Sequence, residues 1–507
     1  MKTSILLIAA AATVAAHAAE PSGPALTIYN QGFGVVRETI PLDLTRGMNS
    51  VSFSGATVHL EPDSVILRDP SGRVRLNVLE QSFRADTINQ GLLLYLNEGK
   101  EIEFRTYVDG KETIVRGKVI RSGYVPNTAA MNRYGNQFAQ RQYNLGNLNA
   151  GSGQPIIELG GLLRFSLPGE PLFPSLSSDA ILYPTLTWQL RSDRDAKLNV
   201  ELSYVTGGMA WEAAYNLVSP EKGDTISLVG WVTLDNQSGR TFEDAAIKLM
   251  AGDVSKLQPD GNEVGYAKAA RAEMDTFRQD GVSEKAFDEF HLYSLPRPVT
   301  LRNREMKQVE FLRAEGVKSR VLYIYNGAAI DRRRYNGWNA ESIRNDRDYG
   351  TVSNPKIWVM REFENTKANG LGVPLPKGRT RFYRSDEADG RPEFTGENTI
   401  DHTPEGETVR IYTGDAFDIV GERKRTDYVL NNGKSSMEEA FEIRLRNRKR
   451  EAVDVRLAER MYRWLNWSLI EQSDEFVKTS AQDGEFRITL QPGEEKVVTY
   501  RVRYDWK

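Results

Sequence analysis

The chain has 507 residues, of which 66 are lysine or arginine and 69 are aspartate or glutamate, so its formal net charge is −3. Proteins that bind nucleic acid mainly through phosphate contacts carry a basic excess, so no nucleic-acid partner is predicted. The chain contains no cysteine, which excludes disulfide bonds and thiolate metal sites. The length fits about three domains of ordinary size, each stabilised by its apolar core.

The first eighteen residues, Met1–Ala18, predict a cleaved secretory signal peptide. Lys2 precedes the apolar run Ile5–Val14, and small residues follow at the positions that a signal peptidase reads, Ala16 and Ala18. No later segment has the uninterrupted apolar length that a transmembrane helix needs. We therefore expect an exported protein without a transmembrane segment, located in the periplasm or outside the cell.

Short strands and turn residues predict an N-terminal β domain over residues 19–126. Asp109-Gly110, for example, lies between two alternating apolar runs and predicts a hairpin turn. Residues 127–155 follow as a polar linker or loop rich in Asn, Gln, Gly and Tyr. This segment is either an unstructured insertion or a loop that binds a sugar or a partner through Tyr134 and Tyr143.

A central β domain is predicted over residues 156–435. Its clearest part is Gly207–Val254, where apolar residues alternate with polar ones and indicate a β-meander of three strands. Near 263–290 the apolar spacing changes to that of a helix, which predicts a helical insertion of two short pieces. The second piece is centred on Ala286, Phe287 and Phe290.

The block Gly207–Val254 closely resembles the core of the bacterial domain-of-unknown-function 4139 family, which is related to the mucoidy-inhibitor-A-like proteins. Residues Ile28–Asp69 are similar to the N-terminal region of that family, and Asn369–Gly378 and Phe394–Arg423 to its C-terminal half. The resemblance covers nearly the whole mature chain. It implies a β fold, and it transfers no catalytic residue.

The last segment, residues 436–507, predicts an immunoglobulin-like C-terminal domain, because short strands with alternating apolar residues recur at close intervals. Trp464 and Trp467 are interpreted as core aromatic residues. Before this domain lies a polar excursion, Asp331–Pro355, which contains three consecutive arginines as well as Tyr335, Trp338 and Tyr349. It is either a surface loop or a contact for nucleic acid or an anionic glycan.

Candidate catalytic residues are few. The sequence has no GxSxG, HExxH or GxxxxGK[ST] motif. A histidine with neighbouring carboxylates offers the one acid–base candidate, and it comprises Asp401, His402, Glu405 and Glu407. The same residues also fit a turn between strands that is shaped by Pro404 and Gly406. No cofactor and no metal site are predicted.

The sequence thus predicts an all-β protein of several antiparallel β-sandwich-like segments with a short helical insertion. The leading hypothesis for its function is a cell-envelope protein that binds or scaffolds an envelope protein or glycan. The alternative is a hydrolase that acts on envelope glycan or peptide with a site near Asp401–Glu407. A β-sandwich by itself does not distinguish these functions, because it hosts both binding modules and enzymes.

Overall fold

A computed structural model describes residues 23–124, 154–174, 181–252, 283–287, 290–328, 335–386, 388–431, 433 and 435–506. These residues form thirty strands and two short α-helices, so the all-β prediction is confirmed. The strands up to the middle of the chain are β1 Ala25–Tyr29, β2 Phe33–Leu44, β3 Gly47–Ser54, β4 Ile66–Arg68, β5 Leu76–Arg84, β6 Glu101–Val108, β7 Lys111–Arg121, β8 Ile156–Leu159, β9 Leu162–Arg164, β10 Glu170–Leu172, β11 Thr185–Ser192, β12 Ala196–Gly207, β13 Met209–Ser219, β14 Thr225–Asn236 and β15 Phe242–Ala251.

The remaining strands are β16 Ser283–Phe287, β17 Phe290–Ser294, β18 Val299–Leu301, β19 Glu305–Asn326, β20 Ile357–Glu364, β21 Gly378–Ser385, β22 Pro392–Ile400, β23 Thr408–Asp415, β24 Ile419–Leu430, β25 Ser436–Asn447, β26 Val453–Arg460, β27 Trp467–Gln472, β28 Phe476–Lys478, β29 Asp483–Leu490 and β30 Glu495–Asp505. The helices are α1 Gln90–Leu96 and α2 Ala340–Asn345, and single 3₁₀ turns occur at Pro62–Ser64 and Lys367–Asn369. No helix in the described ranges is long and apolar enough to cross a membrane.

The chain divides into two compact units. The amino-terminal unit contains the residues up to Trp211 and Leu234–Lys307, and the carboxy-terminal unit contains Glu212–Thr233 and Gln308–Lys507. The amino-terminal unit holds an eight-stranded sheet in the order β16-β17-β15-β1-β2-β12-β4, in which β18 also pairs with β15. It also holds the five-stranded sheet β10-β6-β7-β8-β9 and the three-stranded sheet β3-β11-β5. The predicted hairpin turn at Asp109-Gly110 joins β6 to β7, and both residues have positive φ.

The strands predicted in Gly207–Val254 are present as β13, β14 and β15. The apolar residues of the alternating pattern are buried, as predicted. Trp211, for example, is 4% exposed, and its indole N–H donates to the main-chain oxygen of Met250 over 3.2 Å. The prediction that these three strands form a β-meander, however, is wrong. Strand β15 does not pair with β14 but runs parallel to β1, with Leu26 opposite Ile247. Alternation fixes which face of a strand is buried, and it carries no information about the partner strand.

The carboxy-terminal unit contains a β-sandwich. One layer is part of a ten-stranded sheet in the order β22-β21-β13-β14-β19-β26-β29-β28, to which β20 and β23 add beside β19. The other layer is the four-stranded sheet β24-β25-β30-β27. Tyr325, Ile357, Phe441, Phe486 and Tyr500 belong to one buried cluster to which both layers contribute. Trp464 and Trp467 pack against this cluster as half-buried side chains.

The predicted C-terminal domain, residues 436–507, shares its sheets with earlier strands. Strand β25 pairs with β24 from Leu430↔Met437 to Ile419↔Asn447, and β26 runs parallel to β19, with Tyr325 opposite Leu457. Both partner strands precede residue 436. The β24–β25 pair is a hairpin across the predicted domain boundary, whereas the parallel β19–β26 pair joins residues far apart in the chain and leaves no local trace in the sequence.

The prediction of a helix for the second piece of the insertion is wrong. Ser283–Phe287 and Phe290–Ser294 are antiparallel strands, with Phe287 opposite Phe290, rather than a helical turn. Apolar residues three and four apart are also compatible with a tight hairpin, so a pattern of three residues could not separate the two structures. The first piece, the signal peptide and nearly all of the predicted linker 127–155 lie outside the described residues.

Candidate functional site

The predicted acid–base residues lie together in the connection between β22 and β23. Asp401, His402, Glu405 and Glu407 are all exposed to solvent, and the Asp401 side chain is 93% exposed. The Nδ1 atom of His402 accepts a hydrogen bond from the main-chain N–H of Lys377 over 3.1 Å. Asp401 and Glu405 form loose surface ion pairs with lysines, at 3.6 and 3.5 Å.

A buried asparagine shapes this connection. Asn365 is fully buried, and its amide group donates to the main-chain oxygens of Val373 and Pro404 over 2.8 and 2.9 Å. Gly406 has φ +88°, a left-handed conformation that favours glycine, and its N–H donates to the Asn365 main-chain oxygen. These contacts are those of a fixed turn between strands, and the catalytic assignment of its four residues stays a prediction.

The described part of the predicted polar excursion, residues 335–355, has a defined structure. It contains helix α2, which begins after Asn339, whose side chain accepts a hydrogen bond from the Ser342 N–H over 2.9 Å. Tyr335, Trp338 and Tyr349 form a cluster of rings with centroids 4.8 to 6.5 Å apart. The basic and aromatic composition of this segment therefore serves internal packing to a large extent.

Buried arginines hold this segment through its main chain. Arg463 donates to the carbonyl oxygens of Ile343 and Asp346, both over 2.7 Å, and to that of Tyr349 over 3.1 Å. Arg423 donates to the carbonyl oxygen of Gly350 over 3.0 Å. A guanidinium group has five N–H donors in a fixed plane, so one side chain can satisfy several carbonyls in the last turn of α2 and after it.

Each of these arginines is also paired with a buried carboxylate. Arg423 is 2.9 Å from Glu459 and Arg463 is 2.8 Å from Glu439, and all four side chains are at most 1% exposed. Burial alone would lower the pKa of Arg423, but Glu459 raises it well above its ordinary value. The hydroxyl of Tyr500 donates to Glu459 over 2.8 Å. The network keeps the arginines charged and oriented.

The same segment also covers the edge of strand β24. The N–H of Gly421 donates to the carbonyl oxygen of Pro355 over 3.3 Å, and the N–H of Arg423 donates to Ser353 Oγ over 3.4 Å. An uncovered edge strand is a template for unwanted pairing with another chain. Residues 335–355 thus have a structural role in addition to the surface they present.

An open cleft lies in the amino-terminal unit. It has a volume of about 500 Å³ and is lined by residues of β2, β12 and the turn after β4, among them Asp43, Asp69 and Lys197. A hydrogen bond from Ser71, with further ones from main-chain N–H groups, lowers the pKa of Asp69 to about 2. None of the sequence-predicted site residues lines this cleft. Within the described ranges, no group of three or more histidine and acidic side chains is placed to hold a metal ion.

No protein-family model, no curated protein and no solved structure matches the chain. The comparisons therefore leave the resemblance described above as a prediction.

The buried network was missed at the sequence level, although a signal for it exists. In β25 the inward positions are Met437, Glu439, Phe441, Ile443 and Leu445. In β26 the inward series Val453, Val455 and Leu457 ends at Glu459. A carboxylate in the apolar phase of a strand has to be paired when it is buried, so each of these positions predicts a buried cation nearby.

Proposed function

We propose that the chain is an exported, non-catalytic binding or scaffolding protein of the bacterial cell envelope, and that residues 335–355 form its binding surface. The supporting observation is the attachment of this segment by buried arginines. Strands β19 and β20 are antiparallel neighbours, which a turn of two to five residues can join. The connection here is far longer, and long connections in compact proteins are often functional.

Attachment through the main chain leaves side chains of the segment free to define an outer surface. Asn336, Glu341 and Asn345 are exposed, whereas the carbonyl oxygens of Ile343 and Asp346 accept hydrogen bonds from Arg463. A surface that is fixed before binding loses less conformational entropy when a partner docks. The signal peptide and the family resemblance predicted from the sequence support an envelope location, in the periplasm or outside the cell.

The proposal is tested with the full-length protein expressed in a bacterial host and crosslinked mildly in the envelope. A triple variant, Asn336→Lys, Glu341→Lys and Asn345→Lys, is expected to lose the recovered partner while it keeps the wild-type unfolding midpoint. Glu112→Lys, at an exposed position of β7, is the matched control and is expected to retain the partner. Equal recovery with the triple variant and the control would contradict the proposal.

A second experiment tests the hydrolase hypothesis. Purified envelope glycan and peptide are incubated with wild-type protein and with a variant carrying Asp401→Asn, His402→Ala, Glu405→Gln and Glu407→Gln. Fragments released by the wild type alone would establish hydrolysis at the turn and refute a purely binding role. We expect no difference between the two proteins, because the four side chains lie on an exposed turn.

A further inference from the structure

Arg361, in β20, is a buried arginine without a carboxylate partner. Arg361 is 3% exposed. Within the described residues its guanidinium makes a single hydrogen bond, which Nη1 donates to Ser319 Oγ over 3.3 Å. No ion pair of Arg361 is found in the described part of the chain. The guanidinium carbon lies 5.7 Å from the centroid of the Phe382 ring. Most of its five N–H donors therefore have no acceptor from the protein.

The other two fully buried arginines of the described ranges differ in this respect. Arg423 and Arg463 each lie within 3 Å of a buried glutamate, as described above. An isolated buried charge is strongly unfavourable, and proteins normally pair it. The guanidinium of Arg361 therefore keeps N–H donors that an anionic ligand can use.

An unused hydroxyl group lies on the sheet face that carries Phe382. Strand β21 runs parallel to β13, with Leu217 opposite Phe382 and Ser219 opposite Arg384. The four side chains share one face, and the Ser219–Arg384 pair lies two residues, or about 7 Å, beyond Phe382. Ser219 is fully buried, and its Oγ has no hydrogen-bond partner.

Charges of both signs act on Arg361. Burial lowers the pKa of Arg361, and the charge of Arg384 lowers it further, whereas Asp224 and Tyr323 act in the opposite direction. Asp224 is exposed and belongs to the turn between β13 and β14, and its main-chain oxygen accepts from Ser319. Arg384 is exposed as well, so an approach from solvent exists at this end of the strands.

We propose that Arg361 anchors a binding site for an oxyanion, a carboxylate or phosphate group of a small ligand, which Arg384 and Ser219 complete. The planar guanidinium fork matches two oxygens of such a group. The hydroxyl of Ser219 supplies a further donor, and Arg384 adds a second positive charge at the solvent side. This site is separate from the surface at residues 335–355 and does not depend on the function proposed for it.

The test uses the full-length protein, inorganic phosphate and acetate as probes, and chloride to keep the ionic strength constant. Each probe is titrated while the unfolding midpoint is followed, because a ligand that binds the native state raises it. For the wild type, we expect at least one of the two probes to raise the unfolding midpoint. The probe with the larger effect shows whether the site prefers a phosphate or a carboxylate group. Arg361→Met is expected to weaken the apparent affinity at least about tenfold, the loss that charged hydrogen bonds carry.

Arg379→Met is the matched control, because Arg379 lies on β21, the strand of Arg384, but is half exposed and is 3.9 Å from Glu397. It is expected to respond like the wild type. Arg384→Gln serves if Arg361→Met does not fold, and it is expected to reduce the affinity while the chain stays folded. No rise with either probe in the wild type, or an equal rise in Arg361→Met, would overturn the proposal.

Discussion

The attachment of residues 335–355 predicts the effect of replacing Arg463 by methionine. The substitution removes both hydrogen bonds to Glu439 and the donors to the carbonyl oxygens of Ile343, Asp346 and Tyr349. Methionine keeps a long apolar side chain, so the lost interactions are polar. Two consequences are expected, a less stable carboxy-terminal unit and a locally released segment.

The magnitude follows from what remains around Glu439. Breaking a buried ion pair by removing one partner costs about 3–5 kcal/mol. Two groups still contact Glu439: Arg425 lies 3.1 Å from it, and the hydroxyl of Tyr462 donates to it over 3.3 Å. The carboxylate therefore does not become isolated. We therefore expect the lower end of the range, a loss of about 3 kcal/mol in the free energy of unfolding.

Urea unfolding and amide hydrogen exchange check this prediction together. The free energy of unfolding reports the global loss, and the exchange rates of the Ile343 and Asp346 amides report local release. Arg487→Met is the control, because Arg487 is 62% exposed and pairs with Glu485 at 2.9 Å. Its expected cost is about 0–1 kcal/mol, as for other surface pairs. An equally small cost for Arg463→Met, with unchanged exchange of these amides, would refute the reasoning.

Three further predictions concern single positions. His402→Ala is expected to change the free energy of unfolding by no more than about 0.5 kcal/mol, which chemical denaturation measures, since the side chain lies on an exposed turn. Burial alone would raise the pKa of Glu362, but two flanking arginines lower it below its ordinary value. The stabilisation by this carboxylate is fully present above its unfolded pKa of about 4.3 and is lost as the pH falls through the lower folded pKa. The difference in the free energy of unfolding between wild type and Glu362→Gln is therefore expected to shrink below about pH 4, which acid titrations measure. Gly378→Ala is expected to lower the unfolding midpoint, because the new Cβ atom would come within 2.4 Å of the Ala213 carbonyl oxygen. Gly433→Ala is the control and is expected to leave the midpoint unchanged, because its Cβ atom would lie 3.8 Å from the nearest atom.

Strand faces were predictable from the sequence because they depend on neighbouring residues. The alternation in β13 and β14 identified Trp211, Tyr215 and Leu228 as core residues, and each is at most 4% exposed. The hairpin at Asp109-Gly110 was predictable for the same reason, since a two-residue turn sets its own geometry. The all-β class follows from many such local patterns.

The acidic turn shows where local evidence stops. Asp401, His402, Glu405 and Glu407 are adjacent in the sequence, so the sequence could place them together, but it could not distinguish an enclosed site from an exposed turn. Asn365 decides that question through hydrogen bonds to Val373 and Pro404, which it reaches from the position directly after β20. Burial of its amide and the course of the turn are set by tertiary contacts.

What the sequence determined by itself was the β class, the phase of the strands and the absence of any thiol chemistry, because these depend on composition and on residues two positions apart. Tertiary structure alone decided which strands pair, as in the parallel pairs of β1 with β15 and of β19 with β26. It also decided which buried arginines find a carboxylate and which one, Arg361, does not. Pairing and charge compensation depend on distances between residues far apart in the chain, and no local pattern encodes those distances.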